Sequence, residues 1–246
     1  MSFDILMALS AGALLAGFVS GFAGFGTALF ASGIWFAFLP TEIVPPLVTI
    51  TAVVGQLTGL ARLSKQLEFR KAVPMIGGGI LGVPLGTLIL LFIAPDAIKG
   101  FIGLFLVTYA LWQLMGKRLR LTIPVQPVSR DRIVGFGGGI LGGLAGLSGP
   151  APIVWLQLQN LPSTEQRARY QPFNLVILCC SALSMAAFGV VTTEVLFYAA
   201  FAAPVCVLGA FIGVKAYAKA SEQAFRKWIV WLLLASGLFI LAQVLL

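Results

Sequence analysis

The sequence predicts an all-α polytopic membrane protein made of two inverted repeats, each a broken or re-entrant Gly-rich hairpin followed by three transmembrane helices. Three observations lead there. Of 246 residues, 59% are hydrophobic and only 10% charged, with a mean hydropathy of +1.02, far from the usage of soluble domains. Apolar runs of spanning length recur throughout, and the two-residue alternation of a transmembrane barrel is absent. One phrase is also written nearly twice, GFVSGFAGFG from Gly17 and GILGGLAGLSG from Gly139.

Eight apolar blocks cover 5–38, 43–61, 72–93, 97–115, 133–160, 171–190, 195–216 and 225–246. The first opens at Ile5 without a preceding Lys or Arg, and no small-residue cleavage site leads into a soluble domain. It therefore reads as a retained segment, not a secretory signal. As one helix this block would be about 51 Å long at 1.5 Å per residue, too much for a hydrocarbon core about 30 Å thick even with tilt. Glycines 21, 24 and 26 supply a break in its middle, as Gly146, Gly149, Pro150 and Pro152 do in the fifth block. The next three blocks of each half have ordinary crossing length.

An offset of 122 lays Gly17, Gly21, Ala23 and Gly24 on Gly139, Gly143, Ala145 and Gly146, and Pro40 on Pro162. Pro46 falls on Pro172 after a short insertion, and at an offset of 127 LGVPLG from Leu81 meets LGAFIG from Leu208 and AIKGFI from Ala97 meets AFRKWI from Ala224. The chain thus divides into a first repeat, 1–116, a basic cytoplasmic linker, 117–132, and a second repeat, 133–246.

Charge decides how the long blocks run. If each crosses once, the 16 Lys and Arg split 9 against 7 between the two sides. If each enters and returns, 15 gather on one side and Lys99 stands alone on the other, as the positive-inside rule prefers. That places Arg62, Lys65, Arg70, Lys71, the linker cations, Arg167, Arg169 and the cluster from Lys215 to Lys227 in the cytoplasm and both termini outside. Each repeat then makes an odd number of net crossings, so the second is inverted relative to the first. The two glycine phrases enter from opposite faces and meet near the midplane.

A helix broken inside a membrane exposes N–H groups at the start of its second half, tolerable at depth only where they line a wet cavity or bind something. Helix N-termini also carry partial positive charge. Half-helices starting near Thr27 and Gly149, with the Thr27 and Ser148 hydroxyls, are thus suited to a small anion. The expected substrate-binding residues are Gly24, Phe25, Gly26, Thr27 and Ala28 from one phrase and Gly146, Leu147, Ser148, Gly149 and Pro150 from the other, with Gln56 and Asn174 from the blocks that follow. Thr49, Thr51 and Ser181 are weaker candidates, and Arg167 and Arg169 could draw anions inward. The competing reading is that the glycines let helices pack closely; duplication, block length and charge favour a site.

Several classes are excluded. No histidine occurs, and all eight Asp and Glu lie near block ends or in connections, so neither a proton relay nor a hydrolase site can be assembled in the membrane. Cys179, Cys180 and Cys206 lack metal-ligand spacing. No metal and no cofactor is expected. The formal charge of +8 is spread over connections, which implies no nucleic-acid partner; the partners are the lipid bilayer and a small anionic substrate, and a homodimer is compatible.

Together GFVSGFAGFG, GGILGGLAGLSGPAP from Gly138, and the GVPLGTLI and GAFIGVKA segments resemble the sulfite exporter TauE/SafE family of membrane permeases. That resemblance implies outward transport of sulfite or an organosulfonate such as sulfoacetate, in a bacterial cytoplasmic (inner) membrane. Phe25, Gly26 and Thr27 stand where the family often has three glycines. A permease or channel for another small organic anion and a non-transporting membrane subunit remain the alternatives.

Overall fold

The computed structural model describes residues 3–60, 69–119, 123, 127–217 and 222–245. Among them are ten helices and no strand: α1 (Phe3–Ala23), α2 (Thr27–Phe38), α3 (Val44–Leu60), α4 (Phe69–Phe92), α5 (Pro95–Leu119), α6 (Val128–Ala145), α7 (Pro150–Leu158), α8 (Ser163–Ala187), α9 (Thr193–Tyr217) and α10 (Glu222–Leu245). Eight blocks yield ten helices because the first splits at 24–26 and the fifth at 146–149. The long apolar parts of α1, α4, α5, α8 and α9 each have the length and composition to cross a membrane, and the protein is an integral membrane protein. Of the cations used in the sequence argument, Arg62, Lys65, Arg120 and Lys219 lie outside the described residues. So does part of the expected linker, whose two ends continue α5 and begin α6.

Both split blocks are hairpins. Gly26 sits over Val19, and Gly12 gives way to the ring of Trp35, whose indole N–H donates to the Ala8 carbonyl at 3.2 Å. Helix α2 therefore runs back along α1. In the second hairpin Ser148 lies beside Gly142, and the Trp155 indole donates to Asp131 Oδ1 at 2.7 Å near the start of α6. The return arms have 12 and 9 residues, about 18 and 14 Å, too short to span the core on their own. Trp35 is fully buried. Trp35→Phe keeps most of its packing but removes the donor from a buried carbonyl, and should cost about 1 kcal/mol, read as a lower unfolding temperature of the detergent-purified protein with insertion unchanged.

The helices are held by backbone-to-backbone contacts at glycine. Gly17 and Gly21 of α1 face the Cys206 and Ala210 carbonyls of α9, and Gly209 and Gly213 face those of Leu14 and Phe18. In the same way Gly78, Gly82 and Gly86 of α4 face the carbonyls of Arg132, Phe136 and Ile140 of α6, while Gly135, Gly139 and Gly143 face Met75, Gly79 and Val83. Both pairs run parallel, and in both a Cβ would strike main chain, the small-residue packing that drives helix association in lipid. Gly21, expected in the break, belongs instead to this interface, and α1 continues two residues beyond it.

The pairing pattern is the same when the halves are exchanged. The first helix of each half packs on the fourth of the other, α1 on α9 and α6 on α4, and the fifth helices pack on each other. Those last two run antiparallel, with Gly100 near Val244 and Gly103 near Leu241 and Gly237. Helices α3 and α8, the third of each half, meet in the centre. The sequence placed the start of this last block at 171, but α8 begins eight residues earlier, at Ser163. Its extra turns are made of good helix formers, Glu165 to Arg169, and joined by an i,i+4 ion pair, Arg169 to Glu165 at 2.6 Å. Asn174 consequently lies in the middle of α8.

Candidate functional site

The two tips are built alike where the incoming helix stops. Gly24, at φ 75°, and Gly146, at φ 68°, both take the left-handed conformation that only glycine enters without strain. Each N–H closes the last turn, Gly24 to the Ser20 carbonyl and Gly146 to that of Gly142, both at 2.8 Å. The return helices start differently. Gly26, left-handed at φ 101°, caps α2, whereas Gly149 is right-handed and is followed by Pro150 at the first position of α7.

That difference sets what each helix end can offer. The N–H groups of Thr27, Ala28 and Leu29 precede the first bond of α2, from Phe30 N to Gly26 O at 3.2 Å, so helix geometry leaves them without an intrahelical acceptor. In α7 Pro150 and Pro152 have no N–H, which leaves Ala151 in the first turn. No side chain caps either end. The α2 end is the stronger anion-facing terminus.

Both tips open on one buried cavity. Its walls are 25–29 from the first tip, 146–150 from the second, Ala52 and Gln56 of α3, and Asn174 and Leu178 of α8. Eleven of the twelve expected residues thus come together here. The twelfth, Gly24, stands directly behind, its carbonyl accepting a hydrogen bond from Gln56 Nε2 at 3.0 Å. Leu29, Ala52 and Leu178 were missed. They are apolar, and the one signal for two of them was spacing, since Ala52 lies one turn before Gln56 and Leu178 one turn after Asn174.

Polar groups in the cavity are uncharged. Ser148 Oγ donates to Asn174 Oδ1 at 3.2 Å, leaving the Asn174 amide nitrogen as a donor. Thr27 is 2% exposed, and its hydroxyl has no hydrogen-bond partner among the described residues. Space open to the centre of a water molecule amounts to about 20 Å³, a little above the roughly 10–15 Å³ that one water requires.

Behind the first tip, α8 closes the approach. The Tyr170 hydroxyl donates to the Ala23 carbonyl at 2.8 Å, and the Phe25 ring meets Tyr170 edge-on at 5.9 Å. The Gln171 amide lies against Gly24, with Arg167 Nε next to it. Arg169 and Lys71 both reach Glu165, at 2.6 and 3.5 Å. The weaker candidates stay off the cavity wall. Thr49 abuts Gly146 but donates to the Pro45 carbonyl, Thr51 is buried near Cys206, and Ser181 lies beside Gly142. Among the described residues no group of three His, Cys, Asp or Glu could hold a metal ion.

An uncharged pocket with a helix N-terminus, two hydroxyls and an amide suits a small anion held by hydrogen bonds. No curated protein and no solved structure matches the chain. The family model described as sulfite exporter TauE/SafE matches residues 9–240, which include both breaks and every residue around the cavity. With nearly its whole length matched, the chain belongs to the sulfite exporter TauE/SafE family, a family of membrane transporters of sulfur-containing anions.

Proposed function

We propose that the protein is a secondary permease that exports a small sulfur-containing anion, sulfite or an organosulfonate such as sulfoacetate, by alternating access around the cavity between the two breaks. One observation bears most of the weight: two copies of the same glycine phrase, separated by 122 positions, end as opposite walls of a single buried cavity. Inverted repeats give that arrangement directly. The antiparallel course of α5 and α10 supports the inversion, as does the contact of the first tip with Gln56 and Gln171 and of the second with Thr49 and Asn174, which requires α3 and α8 to run in opposite senses. Asn174 and Leu178 lie near the middle of α8, in keeping with a site near the midplane.

The cavity has room for little more than a water, so an anion enters only when one hairpin moves against the other unit. The basic clusters face the cytoplasm of a bacterial inner membrane, with both termini outside. An inside-negative potential favours anion exit by about 2.3 kcal/mol per charge per 100 mV. Export therefore needs no coupling ion.

Purified protein in liposomes loaded with labelled sulfite tests the reading. Saturable efflux that follows an imposed potential and is stimulated by an anion outside is the expected result. Flux that does not saturate makes the protein a channel, and none above empty liposomes makes it a non-transporting subunit. Asn174→Leu removes a donor to a charged ligand and leaves Ser148 without its acceptor. It should slow exchange about ten- to a hundredfold, from the roughly 1.5–3 kcal/mol of such a bond, while the protein still inserts and elutes as a folded species.

A further inference from the structure

Resting on the permease reading above, we infer that Ser20 is a further ligand of the transported anion, whose sulfite or sulfonate head sits at the first break between the Ser20 and Thr27 hydroxyls. The position where a Cβ of Gly55 would stand is 3.2 Å from Ser20 Oγ, 3.3 Å from Thr27 Oγ1 and 3.4 Å from Cys206 Sγ. Polar atoms from α1, α2 and α9 thus converge on one point, and a glycine on α3 keeps it clear. Thr27 also lines the cavity, so this niche is a side pocket of it. Gly55 differs from the packing glycines of the fold, because a Cβ there meets the tips of side chains and not main chain.

Both hydroxyls are orphans. Ser20 is 1% exposed and Thr27 2%, and neither hydroxyl has a hydrogen-bond partner among the described residues. A buried hydroxyl that gives up water without a replacement costs the fold stability, and native structures keep few of them. Two that face one point mark a place for a ligand. The thiol beside them is committed, since Cys206 donates to the Thr51 carbonyl at 3.7 Å. Hydroxyls accept as well as donate, but the N–H groups that open α2 adjoin this niche and carry partial positive charge. They repel a cation and reinforce an oxyanion, whose several oxygens accept from both hydroxyls and from the helix end together.

The second break has no such pair. At the offset of 122, Ser20 and Thr27 fall on Gly142 and Gly149, and at the spacing of Pro46 to Pro172 Gly55 falls on Ser181. Its own serine, Ser148, already donates to Asn174, and Pro150 and Pro152 withhold two N–H groups from α7. The Gln56 amide likewise donates to the Gly24 carbonyl. Uncommitted donors therefore gather on the first repeat, and the head of the anion turns toward it. The remainder of an organosulfonate then faces the second break, where the Asn174 amide supplies a donor for a carboxylate.

Ser20→Ala and Gly55→Ala test this by two readouts: labelled sulfite exchange in liposomes over a range of sulfite concentrations, and unfolding temperature in detergent with and without sulfite. Ser20→Ala deletes an orphan, so the unfolding temperature without sulfite is expected to hold or rise. The half-saturating sulfite concentration should increase about ten- to a hundredfold, as for a lost hydrogen bond to a charged group, and the stabilisation by added sulfite should shrink accordingly. Gly55→Ala places a methyl group in the niche and should weaken sulfite at least as much in a folded protein. Gly59→Ala, one turn further along α3, meets only the Ser20 carbonyl at 3.9 Å; it controls for the gain in helix propensity and should exchange like the wild type. Wild-type half-saturation in either niche variant overturns the inference and leaves the niche to water or packing. A Ser20→Ala protein less stable without sulfite overturns it too, because the hydroxyl then has a structural partner. Both results leave an anion permease in place. If the wild type neither exchanges nor is stabilised by sulfite or sulfoacetate, the permease reading falls, and this inference with it.

Discussion

Gly146→Leu is expected to lose transport, by about a hundredfold or more, while the protein still inserts and folds. Gly146 stands at φ 68°, where a side chain costs about 1–2 kcal/mol before it touches anything. A Cβ there would also lie 2.9 Å from Thr49 Oγ1 and 3.3 Å from the Thr49 Cα, so the main chain of α3 has to move. Because α3 also presents Ala52 and Gln56 to the cavity, the displacement reaches the site, where a shift of about 1 Å is enough to cost two orders of magnitude in rate. Gly24→Leu should act in the same direction. The alanine variants separate the two tips. A Cβ on Gly24 meets the end of the Gln171 side chain, which can swing aside, so Gly24→Ala should retain more exchange than Gly146→Ala. Rates in liposomes, with elution profile and unfolding temperature alongside, check both comparisons. Full activity in both leucine variants would sink the assignment of the site.

The hairpins and the cavity wall were legible because they leave coarse marks. A block too long for a bilayer and a one-sided distribution of cations both demand a chain that turns back, and the turn falls at Gly24 and Gly146. The sequence does not distinguish a glycine that turns the chain from one that admits another helix, since both positions simply forbid a side chain. Gly17 and Gly21, with their equivalents Gly139 and Gly143, turned out to be packing positions, and Gly24 and Gly146 breaks, although all belong to one repeated phrase. The phrase therefore contains both packing positions and breaks, each at its own residues. The start of α8 was hidden for another reason. Polar residues from Ser163 to Gln171 look like a loop in a hydropathy profile, but they are helix formers and make the turns that bring Tyr170 and Gln171 under the first tip. Such contacts join positions about 147 apart, and no local pattern records them. The unequal tips, in contrast, are written plainly in Pro150 and Pro152, which remove donors from α7 that α2 keeps.

Gly139→Leu should fail in a different way, by losing the fold. Gly139 sits on α6 directly against the Gly79 carbonyl of α4, between Gly135 on Met75 and Gly143 on Val83, and the opposing glycines 78, 82 and 86 of α4 interleave with them. A leucine there has main chain in its path and no side chain to push aside, so the two helices must separate toward the roughly 8–10 Å spacing of ordinary pairs. In lipid no hydrophobic force returns them, because helix association depends on that close packing. Overpacking alone costs about 1–3 kcal/mol, and the loss of neighbouring contacts adds to it, against a total stability of about 5–15 kcal/mol. The expected result is a protein that inserts but elutes broadly, unfolds at a much lower temperature and is cut readily by protease, with transport lost for want of folded carrier. The same helices supply the control. A Cβ at Gly77 on α4 or Gly137 on α6 meets nothing within 4 Å, so Gly77→Ala and Gly137→Ala should be neutral or stabilising by up to about 1 kcal/mol through helix propensity. Gly137→Leu, facing the same open space, should fold normally. If Gly139→Leu and Gly137→Leu behaved alike, the α4 and α6 backbones could not be in contact. If Gly139→Leu instead folded normally and lost only transport, as Gly146→Leu is expected to, the division between packing glycines and break glycines would be wrong.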